Sequence, residues 1–195
     1  IDGNEKWSMD DFISVITQTA DQASADEPVA KGGSEALFSA SLPATCFPNG
    51  SSLACSWDVE LVREMGEALG RECQQMGVGI LLGPGINIRR TPLAGRGYEY
   101  YSEDPIVSGD IAAALINGLQ AEGVGASLKH FAANNSEYRR TEMDSIIEER
   151  ALREIYLAGF QRAIAKSRPW TVMSSYNRLN GVQTSQDPFL LTQVL

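Results

Sequence analysis

Apolar positions first fall at helical spacing near the start of the chain. Phe12, Val15 and Ile16 give one short face to a helix predicted over Lys6 to Gln18, with Ser8 as N-cap and Asp11 in the first turn. From Ala20 to Ala40 the pattern dissolves into Ala, Ser, Gly and charge, which predicts loop. Periodicity then returns. Val62, Met65, Leu69, Cys73 and Met76 share one face of a helix predicted from a Ser56 cap to Met76, with Gly77 as its stop. The run Val78-Gly79-Ile80-Leu81-Leu82 reads as a buried strand, too short and too apolar for a surface element, and Gly83-Pro84-Gly85 turns it.

A long polar loop from Arg89 to Glu103 leads to Asp104-Pro105, a capping acid followed by proline in its favoured first helical position. Val107, Ile111 and Leu115 mark the buried face of that helix. The pattern then repeats. A strand is predicted over Val124 to Leu128 with Lys129-His130 at its end, and a helix over Glu148 to Lys166 with Leu152, Tyr156, Gly159 and Ala163 in register. A strand from Trp170 to Ser174 ends in Tyr176-Asn177, and Asp187-Pro188 opens a last helix. Glycine sits at helix ends and polar residues (Asn87, Arg96, Lys129, His130, Tyr176) at strand ends, the signature of α/β structure built from parallel βα units. An open doubly wound sheet and a closed (β/α)8 barrel both fit, and both gather chemistry at the carboxyl ends of the strands. A barrel usually needs about 250 residues, so this chain would hold only part of one. The Ile start and the finish at Val194-Leu195 inside a growing helix suggest a piece of a longer protein. Residues 1–41 are expected to form an N-terminal helix and irregular segment, and 42–195 the ordered domain.

Composition narrows the function classes. The chain carries 16 Lys and Arg against 25 Asp and Glu, a formal charge of −9, which argues against a nucleic-acid partner. No apolar run approaches the roughly 18 residues that span a membrane. The first residues, Ile1-Asp2-Gly3-Asn4-Glu5, carry neither a basic nor a long apolar region, and a cytoplasmic location is the expectation. Cys46, Cys55 and Cys73 are odd in number and lack C-x-x-C spacing, so they read as small buried residues rather than a zinc site or a disulfide framework. With one histidine in the sequence, a serine triad could draw only on His130.

Gly83-Pro84-Gly85 lacks a third glycine and leads into extended Ile86-Asn87-Ile88, so a dinucleotide site is poorly supported. The stretch from Gly95 to Pro105 holds one Arg, three Tyr and three acids. It is either a polar mouth for hydroxyl-rich ligands or an ordinary surface loop before a helix. Lys129-His130 is followed by Asn134-Asn135 and Arg139-Arg140, and such donors converging on one strand end would suit a polyol or an anion. Adjacent strand residues point to opposite faces, so Lys129 and His130 can share a ligand only where the strand breaks.

The runs Gly95-Arg96-Gly97-Tyr98-Glu99-Tyr100-Tyr101-Ser102-Glu103-Asp104-Pro105, Lys129-His130-Phe131-Ala132-Ala133-Asn134-Asn135, Glu149-Arg150-Ala151-Leu152-Arg153-Glu154-Ile155-Tyr156-Leu157 and Met173-Ser174-Ser175-Tyr176-Asn177 resemble glycoside hydrolase family 3, in its β-glucosidase branch. The likeness runs from about Leu42 to Leu195. The related N-acetylglucosaminidases usually follow Lys-His-Phe with Pro-Gly-His, where this chain has Ala-Ala-Asn. The resemblance implies a TIM-like barrel, incomplete here, whose strand ends bind a non-reducing terminal β-glucosyl ring. It implies that Arg96, Lys129 and His130 bind sugar hydroxyls, that Arg140 lies near the nucleophile, and that Met173 and Tyr176 line the same pocket. Asp26, in Asp26-Glu27-Pro28, is the nearest match to a family Asp-Gly-Pro run, although Glu cannot take glycine's backbone angles cheaply.

The family reaction retains configuration through two carboxylates roughly 5 Å apart. The Ser-Asp-Trp-like run of its nucleophile does not occur here, so nucleophile and acid/base are both expected beyond Leu195, with Glu99, Asp104 and Asp144 not promoted in their place. Neither metal nor cofactor is implied. The expected partner is a small carbohydrate or glycoside. Homo-oligomers could form through an open sheet edge. A non-catalytic sugar-binding or interaction domain is the alternative, and a remnant without function a third.

Overall fold

The computed structural model describes residues 43–195; the helix expected over 6–18, the loop over 20–40 and Asp26 lie outside them. Helix α1 (Gly50–Ser56) is capped by Asn49, whose side chain accepts from the Ser52 amide at 2.9 Å. Helix α2 (Val59–Gln75) is capped by Asp58, which accepts from the Glu60 and Leu61 amides at 3.1 and 3.0 Å. The expected cap at Ser56 is thereby corrected. Ser56 closes α1, its hydroxyl donating to the Leu53 carbonyl, and the carboxylate two residues on takes the free amides of α2. Gly77, at φ +71°, stops α2 as its position predicts.

Strands β1 (Ile80–Leu81), β2 (Gly125–Phe131) and β4 (Thr171–Ser174) form a parallel sheet in the order β1-β2-β4. Helix α3 (Pro105–Ala121) joins the first two; Asp104 caps it, accepting from the Ile106 amide at 2.7 Å. Between β2 and β4 runs a helical stretch of three pieces, α4 (Glu149–Ala151), a wide turn at Leu152–Tyr156, and α5 (Ala158–Ser167). The single helix expected over Glu148 to Lys166 is therefore interrupted, with the Leu157 amide bonding back five residues to Leu152. Leu152, Tyr156, Gly159 and Ala163 all remain buried.

Strands adjacent in the sheet follow one another in the chain, and α2 packs on α3 and α3 on α5. A doubly wound sheet reverses its strand order and covers both faces. Unreversed succession, with consecutive helices side by side, is the winding of a barrel segment. Helix α3 lies at the middle of this layer. Ala112, Ile116 and Leu119 are fully buried, and so are Ser108, Gly109 and Gly118, as befits a helix with apolar or small residues all round.

Two expectations about strands change. The run from Val78 to Leu82 pairs only at Ile80 and Leu81, and Val78, Ile80 and Leu82 are exposed, Leu82 by 61%. Among the described residues β1 is an edge strand with β2 on one side only, and an apolar run is buried only when neighbours cover it. The second strand does not stop at Leu128 but continues through Lys129 and His130 to Phe131. Its register against β4 slips between Lys129, opposite Met173, and Phe131, opposite Ser174, which is a bulge centred on His130. A smaller sheet, β3 (Asp144–Ser145), β5 (Arg178–Leu179) and β6 (Val182–Gln183), has no counterpart in the pattern reading. Its hairpin turns on Asn180-Gly181, both at positive φ, the pairing that a two-residue turn favours. Of the cysteines, Cys73 is buried as expected; Cys46 and Cys55 are exposed.

The closest approach in the helix layer is backbone to backbone. A Cβ at Gly118 would lie 2.2 Å from the Arg63 carbonyl oxygen and 2.9 Å from the Gly66 Cα. Gly118→Ala is expected to lower stability by about 1–3 kcal/mol, because neither backbone can yield without moving a helix. Gly79→Ala, where an added Cβ meets nothing within 4 Å, should change it by no more than about 1 kcal/mol, read from urea unfolding midpoints.

Candidate functional site

The site is built where β1 and β2 end. Beyond Gly83-Pro84-Gly85 the chain stays alongside β2: the Lys129 amide donates to the Pro84 carbonyl at 3.0 Å, and the Ile86 amide to the Lys129 carbonyl at 2.8 Å. Gly85 bridges to Lys129 on one side and Tyr100 on the other, and a Cβ there would sit 2.9 Å from the Tyr100 ring. The bulge leaves His130 out of the ladder with β4. Asn87, fully buried, replaces that partner: its Oδ1 accepts from the His130 amide at 3.0 Å and its Nδ2 donates to the His130 carbonyl at 2.9 Å.

Arg96, Lys129 and Arg140 come together around two carboxylates. Glu99 accepts from Arg96 Nε on one oxygen and pairs with Lys129 Nζ at 3.2 Å on the other. Glu137 accepts from Arg140 at 2.9 Å and from Asn134 Nδ2 at 3.1 Å, with Arg96 at 3.9 Å. Burial, the largest single effect on Glu99, would raise its pKa. The hydrogen bonds and charges of Arg96 and Lys129 together outweigh it and hold the carboxyl below its usual range. Burial likewise pulls the Arg96 guanidinium down, and Glu99, Tyr100 and Glu137 more than restore it. The loop carrying Arg96 and Glu99 is thus part of the polar cluster, although Tyr98 at its crest is exposed.

His130 is 3% exposed, with Nδ1 3.1 Å from the Tyr100 hydroxyl and the two rings edge to face at 6.1 Å. Burial first, then the positive charges of Arg96, Lys129 and Arg140, push its pKa down to about 3, with Glu99 opposing. At neutral pH the imidazole is uncharged. Met173 faces Lys129 across β2 and β4 and is half-buried. Tyr176, two residues past β4, is 53% exposed and carries the Arg140 guanidinium 5.0 Å over its ring. Six of the seven expected site residues therefore line one strand-end region; Asp26 is outside the described residues. The apolar groove of about 490 Å³ lined by Leu157, Phe160, Ile164 and Val194 contains none of them.

Sequence reasoning missed Glu137 and gave Tyr100 no place in the cluster, whereas Asn134 stood among the residues noted after His130. A signal for Glu137 was present, since it precedes Arg140 by three residues in a run already rich in donors. The lowered His130 pKa has a consequence for stability. The unfolded chain binds a proton on this ring near pH 6.5, whereas the folded chain does not until about pH 3, so stability falls as the pH drops through that window. Between pH 7 and pH 5 the wild type should lose about 2 kcal/mol more than His130→Gln in urea unfolding. Equal losses would contradict a buried, neutral imidazole.

Comparison with known proteins places this geometry in context. Residues 26–195 match the family model described as the glycosyl hydrolase family 3 N terminal domain. The chain is 60% identical over 155 residues to thermostable beta-glucosidase B of Acetivibrio thermocellus, covering 80% of this chain and 20% of that protein. It is 50% identical over 167 residues to an exo-alpha-(1->6)-L-arabinopyranosidase of Bifidobacterium longum, covering 86% and 22%. Among solved structures, beta-glucosidase 3B from Thermotoga neapolitana in complex with alpha-D-glucose superposes with a TM-score of 0.76 at 54% identity, over 76% of this chain and 21% of that one. The beta-glucosidase of Bifidobacterium adolescentis gives 0.78 at 51%, over 79% and 23%. The chain spans about a fifth of the length of these relatives. They are glycoside hydrolases, and their similarity confirms the α/β fold with the winding of a partial barrel. The chain belongs to glycosyl hydrolase family 3 and matches its N-terminal domain.

Proposed function

We propose that this chain supplies the sugar-binding face of a retaining, β-glucosidase-like exo-glycosidase that acts on non-reducing terminal β-glucosyl residues. The observation that carries the reading is the meeting of Arg96, Lys129, His130 and Arg140 at adjacent parallel strand ends, most of their charge offset by Glu99 and Glu137. Ionised donors bind hydroxyl oxygens more strongly than neutral ones, and those that tighten as the ring distorts lower the barrier. Tyr176, its ring held by Arg140, offers an exposed aromatic face beside them.

Retention requires a nucleophile and an acid/base about 5–5.5 Å apart. Glu99 is held ionised between Arg96 and Lys129, which unsuits it as the acid, and the oxygens of both Glu99 and Glu137 are turned to cations and Asn134 within the cluster. Asp104 is committed to the α3 cap. On this reading the Asp nucleophile and the Glu acid/base come from outside the 195 residues, and the chain alone does not turn over. The 50% identity to an arabinopyranosidase supports recognition of a pyranoside ring in general, with the choice of sugar set by groups elsewhere.

In the enzyme that contains this domain, Lys129→Met is expected to lower kcat/KM for an aryl β-D-glucopyranoside by about 10- to 100-fold, the worth of one charged hydrogen bond. The isolated chain should release no aryl alcohol from the same substrate. Unchanged kcat/KM in the variant, or turnover by the purified chain, would overturn the assignment.

A further inference from the structure

Tyr100 is 2% exposed, and a phenol buried to that extent is costly unless its proton is hydrogen-bonded to an acceptor. Among the described residues two groups reach its oxygen, His130 Nδ1 at 3.1 Å and Asn134 Nδ2 at 3.5 Å. The amide of Asn134 is oriented by Glu137. A carboxylate only accepts, so the nitrogen and not the oxygen of Asn134 faces it at 3.1 Å, and the second hydrogen of that nitrogen is left for the phenol. Asn134 Oδ1 is correspondingly buried without a partner among the described residues. Asn134 can therefore only donate to Tyr100, and His130 Nδ1 is the one acceptor left for the phenol proton.

We infer that Tyr100 is a positioning residue that fixes His130 in the tautomer protonated at Nε2, so that the imidazole offers a ligand an N–H donor without charge. Donation to a sugar oxygen rests on the glycosidase reading above, whereas the tautomer rests only on Tyr100, Asn134 and Glu137. The opposite tautomer would set Nδ1–H against the phenol and strand a buried hydroxyl proton. Burial raises the Tyr100 pKa and lowers that of His130, so that near neutral pH the phenol holds its proton and the ring has only one. Asn87 fixes the His130 backbone from the other side, leaving the ring little freedom to leave the phenol. Two N–H donors of different kinds then adjoin along the bulge, the Lys129 ammonium and the His130 Nε2–H.

The sequence contains one histidine, so its ring nitrogens can be read in the intact chain without assignment. Long-range proton–nitrogen correlations on histidine-labelled chain near neutral pH, without sugar, should show Nε2 protonated and Nδ1 bare but hydrogen-bonded. Tyr100→Phe should move Nδ1 away from its hydrogen-bonded position and draw the two nitrogen shifts toward each other as the tautomers exchange. A proton on Nδ1 in the wild type would overturn the inference, and so would nitrogen shifts unchanged in Tyr100→Phe. Should that variant not fold, the wild type decides alone: a phenol proton coupled to Nδ1 supports the relay, and a proton bonded to Nδ1 refutes it. Because no sugar is present, failure of the glycosidase reading leaves this result untouched.

Discussion

Like charges crowded at a half-buried strand end repel one another, and Arg96, Lys129 and Arg140 stay together because Glu99 and Glu137 stand between them. The side chains of Arg96, Glu99, Lys129 and Glu137 are each no more than 20% exposed, where solvent screening is weak and an unpaired charge is costly. Removing either carboxylate would leave two cations facing each other. The arrangement also gives the carboxylates a role other than acid–base chemistry. They hold the donors in place and offset two of the three positive charges. Each cation still has donors to spare: the guanidinium carries five N–H groups and the ammonium three.

Geometry depends on the fold at two places. The bulge in β2 breaks the alternation that would send Lys129 and His130 to opposite faces, and Asn87 takes over the backbone hydrogen bonds which the bulge frees. Behind the sheet, α2 and α3 pack closely enough that a Cβ at Gly66 or Gly118 would strike the facing backbone, and one at Gly109 would crowd Arg162 and the Gly159 carbonyl of α5. Asp110 on α3 adds a two-pronged bond to Arg162 on α5, at 2.7 and 2.8 Å. Such a layer gives the strand ends a rigid base, and the loops that carry Arg96 and Arg140 are built on it.

Much of this was legible in the residues. Glycine stops, the Asp104-Pro105 start and the alternating helices and strands located the βα units, and the runs around Arg96, Lys129 and Met173 located the site. What escaped depends on contacts distant in the chain. Tyr100 and His130 are 30 residues apart and Asn87 and His130 are 43, so no local pattern announces them. Exposure of Ile80 and Leu82 follows from β1 having a strand on one side only among the described residues, which a run of five apolar-looking residues does not encode. The cap at Asp58 was a competition between two good capping residues, settled by α1 ending at Ser56. Asn180-Gly181 is a local hairpin signal, independent of the helix–strand alternation around it.

The central claim is that a pyranose ring is held at the Arg96–Lys129–His130 cluster. Titrating D-glucose into the histidine-labelled chain while following the ring signals of His130 tests it most directly. The account predicts saturable shifts of those signals that Lys129→Met weakens by about tenfold in apparent affinity. Glucose that leaves His130 undisturbed at saturation, or binds the variant as tightly as the wild type, would contradict it.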